Sequence, residues 1–149
     1  MATSQHKRTY HVLVVDDSED DGHLLELAFQ KLDHFRLVDR AMDGQQAIAY
    51  LQGEGAYENR CKHPFPDVLL LDLRMPRVDG FDVLNWLRAQ AFPHLQVIVL
   101  SGSDYTVDVN KALCMGAHFY RTKQLRFDEQ VAMLRSLEHE VAQSCGASS

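Results

Sequence analysis

The chain has 149 residues, a length that suits one domain with a buried core and no need of disulfide or metal cross-links. Hydrophobic residues make up 46% and charged residues 24%, which is typical of a globular protein and argues against a disordered or fibrous chain. The formal net charge of -6 disfavours nucleic acid as a partner, because a polyanionic backbone attracts basic surfaces.

Cysteines and apolar runs indicate the compartment. Cys61, Cys114 and Cys145 are far apart and in no CxxC arrangement, so they predict neither a disulfide framework nor a zinc site. Residues 1–10 lack the apolar stretch of a secretory signal, and no later apolar run approaches the roughly 18 residues of a membrane span. We therefore expect a cytoplasmic protein that has no membrane partner.

The first part of the chain alternates short apolar runs with segments of helical periodicity, a pattern that predicts strands joined by crossover helices. Residues 11–15 form the first predicted strand, and a helix follows over 20–32 because apolar side chains recur there on one face. A short second strand is expected over 36–40. The next helix is expected over 43–51, and Gly53 then ends it.

A long loop and an apolar strand come next. Residues 53–66 contain two glycines and two prolines, and the loop exceeds the roughly two to six residues typical of such a connection. Its length indicates a specialised surface. Residues 68–71 are so continuously apolar that they predict the central strand of a parallel sheet buried on both faces, and a helix is expected over 82–89.

The last third of the chain continues the alternation. Residues 96–100 predict the fourth strand, and Asp104 is expected to cap a helix that runs to Met115. The fifth strand is expected over 117–122, and the last helix over 128–143.

The fifth strand and its helix use up the chain, so the sequence predicts one α/β domain with a five-stranded parallel sheet and no second domain. We expect residues 10–143 to form this domain. Residues 1–9 are expected to be a flexible N-terminal segment, and 144–149 a flexible C-terminal tail.

Charged and polar residues stand where four of the predicted strands end. They are Asp16 and Asp17 after the first strand, Asp72 after the third, Ser101 after the fourth and Lys123 just beyond the fifth. Ligands of open α/β sheets bind outside the carboxyl ends of the strands, so these residues are expected to converge there. Three carboxylates held close together repel one another, which implies a bound cation or a raised pKa.

The residue types at this edge suggest phosphoryl chemistry. Oxygen ligands without His or Cys favour a hard ion, and Mg²⁺ fits because it takes one or two carboxylates together with phosphate oxygens. Lys123 supplies a positive charge for an anion, and the Ser101 hydroxyl can hydrogen-bond a phosphoryl oxygen beside the small Gly102. The reaction implied is in-line phosphoryl transfer to Asp72, which gives an acyl phosphate.

Each of these motifs alone also has a structural explanation. An Asp-Asp pair after a strand most often caps a helix, residues 72–76 could form a turn, and Lys123 could be a solvated side chain. Their joint spacing favours the chemical interpretation.

From Tyr10 to Val141 the chain resembles the receiver domains of bacterial two-component response regulators. Four motifs carry the resemblance: Val-Val-Asp-Asp at 14–17, Leu-Leu-Leu-Asp-Leu-Arg-Met-Pro-Arg-Val-Asp-Gly at 69–80, Val-Leu-Ser-Gly at 99–102 and Gly-Ala-His-Phe-Tyr-Arg-Thr-Lys at 116–123. The resemblance implies a doubly wound (βα)5 flavodoxin-like sandwich. It also implies that Asp72 accepts the phosphoryl group.

The resemblance further implies a metal site. Asp17 and Asp72 would ligate Mg²⁺ through their side chains, with Mn²⁺ as an acceptable substitute. Asp16 would act largely through water, and the backbone carbonyl of Arg74 would complete the protein ligands.

Signalling roles follow from the same resemblance. Lys123 would assist the transfer, and Ser101 and Tyr120 would couple phosphorylation to a protein-binding surface made by the fourth helix, fifth strand and fifth helix. The partners implied are a sensor histidine kinase or histidine phosphotransfer protein and a downstream target protein, while a homodimer stays open. The chain would catalyse only its own phosphorylation and dephosphorylation. The long loop before Pro66 resembles that of small regulators paired with bacterial phytochromes.

The chain departs from the family pattern at two positions. The family usually has a proline after the lysine, commonly with a cis peptide bond, whereas Gln124 follows Lys123 here. A cis bond before a residue other than proline costs about 2.5–4 kcal/mol, so we expect a trans bond or a remodelled loop. Arg74 places a bulky cation two residues beyond the acceptor.

Three other functions compete with this interpretation. A dehalogenase-like phosphatase would need a second Asp where Arg74 stands. A flavodoxin-like FMN binder would need a Ser/Thr/Gly-rich phosphate loop where 16–21 read Asp-Asp-Ser-Glu-Asp-Asp. A receiver-like scaffold that works without phosphorylation is the third alternative, because Gln124 could mark the loss of the phosphoryl-transfer function.

Overall fold

A computed structural model of the protein describes residues 8–75, 78–102 and 105–147. The five strands are β1 (Tyr10–Val15), β2 (Phe35–Ala41), β3 (Val68–Leu71), β4 (Gln96–Ser101) and β5 (Phe119–Thr122). The α-helices are α1 (Glu19–Phe29), α2 (Gly44–Gln52), α3 (Gly80–Arg88), α4 (Thr106–Cys114) and α5 (Phe127–Ala147). Each strand is thus followed by a helix, as the alternating sequence pattern predicts.

The strands form one sheet in the order β2-β1-β3-β4-β5, and all four neighbouring pairs are parallel. This order confirms the predicted five-stranded parallel sheet of the flavodoxin-like type. The chain goes outward from β1 to β2 and then returns to β3 on the other side of β1. The strand order therefore reverses between β1 and β3, which is where α/β sheets form a ligand crevice at their carboxyl ends.

Side chains that alternate along the strands fill a separate core on each face of the sheet. Leu13 and Leu69 lie in the core covered by α2, α3 and α4, whereas Val12 and Leu70 lie in the core covered by α1 and α5. All four are fully or almost fully buried. Each fully buried leucine contributes roughly 1.5–3 kcal/mol through removal of apolar surface from water, so both faces hold the sheet in place.

Several element boundaries differ from the sequence predictions. Helix α3 begins at Gly80 rather than at 82, because Asp79 and Asp82 form a reciprocal capping box. Helix α1 ends at Phe29 rather than at Leu32, since the amide of Leu32 bonds three residues back to the carbonyl of Phe29 in a tighter turn.

Helix α4 and strand β5 also start later than predicted. Tyr105 occupies the N-cap position of α4 and makes no side-chain capping bond, while Asp104, the predicted cap, lies outside the described residues. Strand β5 begins at Phe119, because the amide of Ala117 still bonds to the carbonyl of Ala112 at the end of α4.

Helix α5 is longer than predicted. It runs to Ala147, so residues 144–147 are helical where a flexible tail is expected from the sequence. Residues 1–7 and 148–149, the rest of the two predicted flexible segments, lie outside the described part of the chain. Within the described residues, none of the helices combines the length and the apolar character needed to span a membrane.

The long loop after α2 is held against that helix by side-chain to backbone hydrogen bonds. The hydroxyl of Tyr50 donates to the carbonyl of Pro64 at 2.8 Å. The guanidinium of Arg60 donates to the carbonyls of Leu51 at 3.0 Å and His63 at 3.1 Å. Gly53, at φ 70°, ends α2 in the left-handed conformation, as predicted.

Candidate functional site

The carboxyl ends of the two central strands carry buried carboxylates. The amide of Asp16 bonds to the carbonyl of Ala41 at 3.0 Å, and that of Asp72 to the carbonyl of Val15 at 2.9 Å. These bonds continue the β1–β2 and β1–β3 pairings by one residue beyond the strands. Because both residues are fixed by the sheet, their side chains occupy the same end of the crevice, where both are almost fully buried.

Asp17 joins these two carboxylates. One oxygen from each of Asp16, Asp17 and Asp72 lies within 4.8 Å of the others, and we call these three residues the acidic cluster. Asp17 is exposed, whereas one carboxylate oxygen of Asp16 accepts a hydrogen bond from the amide of Ser18 at 2.9 Å. The cluster therefore has two buried carboxylates and one that faces solvent.

Lys123 brings a positive charge to this cluster. Its amide donates to the carbonyl of Ser101 at 2.8 Å, which fixes the backbone directly after β5. Its Nζ lies 2.9 Å from a carboxylate oxygen of Asp16, 2.9 Å from one of Asp21 and 3.2 Å from one of Asp72. The predicted convergence of distant residues at one sheet edge is thus present in the structure.

Sequence reasoning missed Asp21 as a residue of this site. The sequence shows it only as a member of the acidic stretch 16–21. Ser18 caps α1 by accepting a hydrogen bond from the amide of Asp21 at 3.2 Å, so Asp21 lies in the first turn of the helix. If Ser18 is taken as the N-cap of α1, Asp21 falls in the first turn of the helix, beside the end of β1.

The electrostatics of the site follow from burial and from the excess of carboxylates. Burial raises the pKa of Asp72 above its usual range; the charge of Lys123 opposes this shift, and the charge of Asp16 reinforces it. Burial disfavours the ammonium of Lys123, but hydrogen bonds to Asp21 and Asp16 and the charge of Asp72 outweigh that effect and raise its pKa. Lys123 therefore stays charged at neutral pH, and negative charge is left over.

The acidic cluster has the donor set of a site for a divalent metal ion. Hard divalent cations prefer carboxylate oxygens, and the excess negative charge favours their binding. Within residues 8–75, 78–102 and 105–147, it is the only group of three His, Cys, Asp or Glu side chains near enough to share an ion.

Ser101 lies on β4, which is next to β3 in the sheet, and Tyr120 lies on β5, the next strand outward. Ser101 is the last residue of β4 and is completely buried, in register with Thr122. Tyr120 is half-buried in β5 and packs against the core under α2, α3 and α4. A Cβ added at Gly102 would meet no heavy atom of the described residues within 4 Å.

The backbone of Arg74 contacts Asp72, but its guanidinium pairs with Asp108. Its amide donates to the Asp72 carboxylate at 3.3 Å. Its guanidinium, on a side chain that is 63% exposed, lies 2.7 Å from the carboxylate of Asp108 in α4.

The loop after Lys123 has an ordinary backbone geometry. All peptide bonds of the described residues are trans, including that between Lys123 and Gln124, as expected for a residue other than proline. The amide of Gln124 donates to the side-chain oxygen of Gln130 at 3.0 Å, and its side-chain amide donates to the carbonyl of Thr122 at 2.8 Å. A buried side chain of α5 therefore holds this loop.

The family model and several related proteins that match this chain belong to response regulators. Residues 12–135 match the family model of the response regulator receiver domain. Response regulator Rcp1 of Synechocystis sp. is 32% identical over 130 residues, which cover 85% of this chain and 85% of that protein.

Solved structures of related proteins share the fold. The Mn²⁺-bound form of Rcp1 covers 87% of this chain and 91% of its own, with a TM-score of 0.74 and 30% identity. The phosphorylated cyanobacterial phytochrome response regulator RcpA covers 91% and 96%, with a TM-score of 0.78 and 26% identity. Response regulator RPA3017, described in red light signalling of R. palustris, covers 87% and 91%, with a TM-score of 0.76 and 34% identity.

Proposed function

Because the chain belongs to the response regulator receiver domain family, we propose that it accepts a phosphoryl group on Asp72 in a Mg²⁺-dependent reaction. The observation that carries this proposal is the contact of Lys123 Nζ with the carboxylates of Asp16 and Asp72, at 2.9 Å and 3.2 Å. The site thus combines a strand-end carboxylate, a charged lysine and a cluster suited to a divalent cation. That combination is the minimum for phosphoryl transfer to a carboxylate.

Each residue has a distinct role in this reaction. A carboxylate oxygen of Asp72 forms the new bond to phosphorus, while the bond to the donor breaks and the leaving group departs with the electron pair. Lys123 binds a phosphoryl oxygen, and the Ser101 hydroxyl donates to another. The side chains of Asp17 and Asp72 and the backbone carbonyl of Arg74 would hold Mg²⁺, with Asp16 acting largely through water, and the ion would supply positive charge to the transferred group.

The partners follow from the family. Receiver domains act in two-component systems, so the phosphodonor is a sensor histidine kinase or a histidine phosphotransfer protein. Two of the related structures come from phytochrome and red light signalling, which supports a kinase of the bacterial phytochrome type. The output is a change in a protein-binding surface made by α4, β5 and α5, in which Ser101 and Tyr120 act as the switch residues. The role is regulatory, and the chain acts only on its own Asp72.

Phosphorylation can be tested by intact-mass measurement after incubation with acetyl phosphate and Mg²⁺. The parent chain is expected to gain one phosphoryl group, and the Asp72→Asn variant none. Asp128→Asn is a matched control, since Asp128 is exposed, lies outside the acidic cluster and pairs with Arg126. Full labelling of the Asp72→Asn variant would refute the acceptor assignment, and a parent chain that takes no label would favour a scaffold that works without phosphorylation.

A further inference from the structure

Lys123 has a carboxylate partner outside the acidic cluster. Its Nζ lies 2.9 Å from Asp21, as near as Asp16 and nearer than Asp72. The side chains of Asp16 and Asp72 are only 2% and 8% exposed, whereas that of Asp21 is 45% exposed. Asp21 therefore contacts the lysine from the solvent side of the site.

The position of Asp21 is fixed by the same turn that fixes Asp16. The amide of Ser18 donates to Asp16 at 2.9 Å, and the Ser18 hydroxyl accepts from the amide of Asp21 at 3.2 Å. Asp21 shares the first turn of α1 with Glu19 and Asp20, and all three acids favour the positive end of the helix dipole. Only Asp21 of these three pairs with Lys123.

The lysine has no spare donor for a phosphoryl group in this arrangement. An ammonium has three N–H donors, and three carboxylates surround the Nζ of Lys123. A phosphoryl group on Asp72 replaces the Asp72 carboxylate as a partner of Lys123 and adds oxygens that need this cation, so any further phosphoryl contact requires one of the two remaining carboxylates to give up the lysine. The contact with Asp21 costs least to break, because water can replace the lysine around an exposed carboxylate but not around a buried one.

From this geometry we infer that Asp21 is a positioning residue that holds Lys123 before phosphorylation and competes with the phosphoryl group for it. The inference rests on the proposed function, since it concerns the phosphoryl group expected on Asp72. Removing the charge of Asp21 then frees one donor of Lys123. It should tighten the binding of phosphoryl-like anions at the site.

The direct test is a calorimetric titration of the Mg²⁺-loaded chain with beryllium fluoride, a mimic of the phosphoryl group. The Asp21→Asn and Asp21→Ser variants are expected to bind it roughly two- to fivefold more tightly than the parent chain, the size of a partly exposed ion pair. Asp20→Asn removes the same charge from the same turn without touching Lys123, so it measures the general effect of charge. It is expected to stay near the parent value.

Kinetics with acetyl phosphate separate positioning from structural damage. Asp21→Asn should lower the half-saturating donor concentration, while the rate at saturation changes by less than about twofold. Asp21→Glu keeps the charge and should stay close to the parent. A purely structural role would instead lower the rate at saturation and leave donor binding unimproved.

Equal or weaker beryllium fluoride binding in both Asp21 variants would overturn the inference, and so would an equal gain in Asp20→Asn. A parent chain that binds no beryllium fluoride would overturn it as well. The titration needs no covalent label, so a failure to phosphorylate Asp72 would count against the proposed function and leave the binding result to decide the role of Asp21.

Discussion

The guanidinium of Arg74 lies 2.7 Å from the carboxylate of Asp108, so that an ion pair joins the loop after β3 to the first turn of α4. The Asp108 side chain is 12% exposed, which shields the pair from solvent on one side. The residue that follows the acceptor by two positions is thus tied to a helix of the proposed output surface.

We expect this pair to contribute about 0.5–1 kcal/mol to the free energy of unfolding, because one partner is largely desolvated. A double-mutant cycle of Arg74→Ala and Asp108→Ala, followed by urea unfolding without metal, measures that coupling. The pair of Arg126 and Asp128 is the control, since both side chains are at least 70% exposed and their coupling should be close to zero. Equal coupling in the two pairs would contradict the expectation.

The acidic cluster should make stability depend on Mg²⁺. A ligand that binds only the folded state stabilises it by mass action, by about 2.7 kcal/mol at a hundredfold excess over its Kd. The Tm of the parent chain should rise with Mg²⁺, and the rise should be largely lost in Asp17→Ala. The Asp20→Ala variant, which changes a residue outside the acidic cluster, should keep the rise of Tm with Mg²⁺. An unchanged response in Asp17→Ala would remove Asp17 from the ligands.

The raised pKa of Asp72 predicts how metal-free stability changes with pH. Burial, the largest cause, raises this pKa in the folded chain above the 3.8 of the free side chain. The folded state therefore holds this proton more tightly, and the associated stability is lost as pH rises through the folded pKa. Asp72→Asn should melt a few degrees above the parent at pH 7 in EDTA, and the difference should shrink towards pH 4. A lower Tm of the variant at pH 7 would reverse the sign of this argument.

A histidine at the other end of the sheet predicts an opposite pH dependence. The neutral ring of His118 accepts a hydrogen bond from the amide of Val97 at 2.9 Å, and burial lowers the pKa of His118 below its usual 6.5. The unfolded chain therefore takes up this proton first, and stability is lost as pH falls below 6.5. His118→Gln should reduce the loss of Tm between pH 7.5 and 5.5. His23→Gln, at a side chain that is 69% exposed, should leave the loss as in the parent.

Hydrophobic periodicity predicted the strands and their parallel sheet. The exact ends of several helices depend on local backbone contacts that periodicity does not show. Residues 68–71 were predicted with the observed bounds, because a strand buried on both faces is apolar at every position. The end of α5 was predicted too early, because the last apolar position used to trace the helix from the sequence is Val141, whereas the helix continues to Ala147. Apolar periodicity reports the buried stripe of a helix and not where its backbone ends.

The strand-end residues of the site were found because a parallel sheet brings the ends of its strands together. Asp21 and Asp108 were missed because both belong to the first turns of helices, and their contacts depend on where those helices begin. A shift of one residue in a helix start, which is the difference found for α1, changes the direction of a side chain by roughly 100° around the axis.

The hydrogen bond between the amide of Gln124 and the buried side chain of Gln130 also limits how this protein can be engineered. A proline has no N–H, so restoring the residue that the family usually has after the lysine would leave the Gln130 oxygen without that donor. The two positions behave as one unit. In a chimaera with another member of the family, the connection after β5 and the first turn of α5 must be exchanged together.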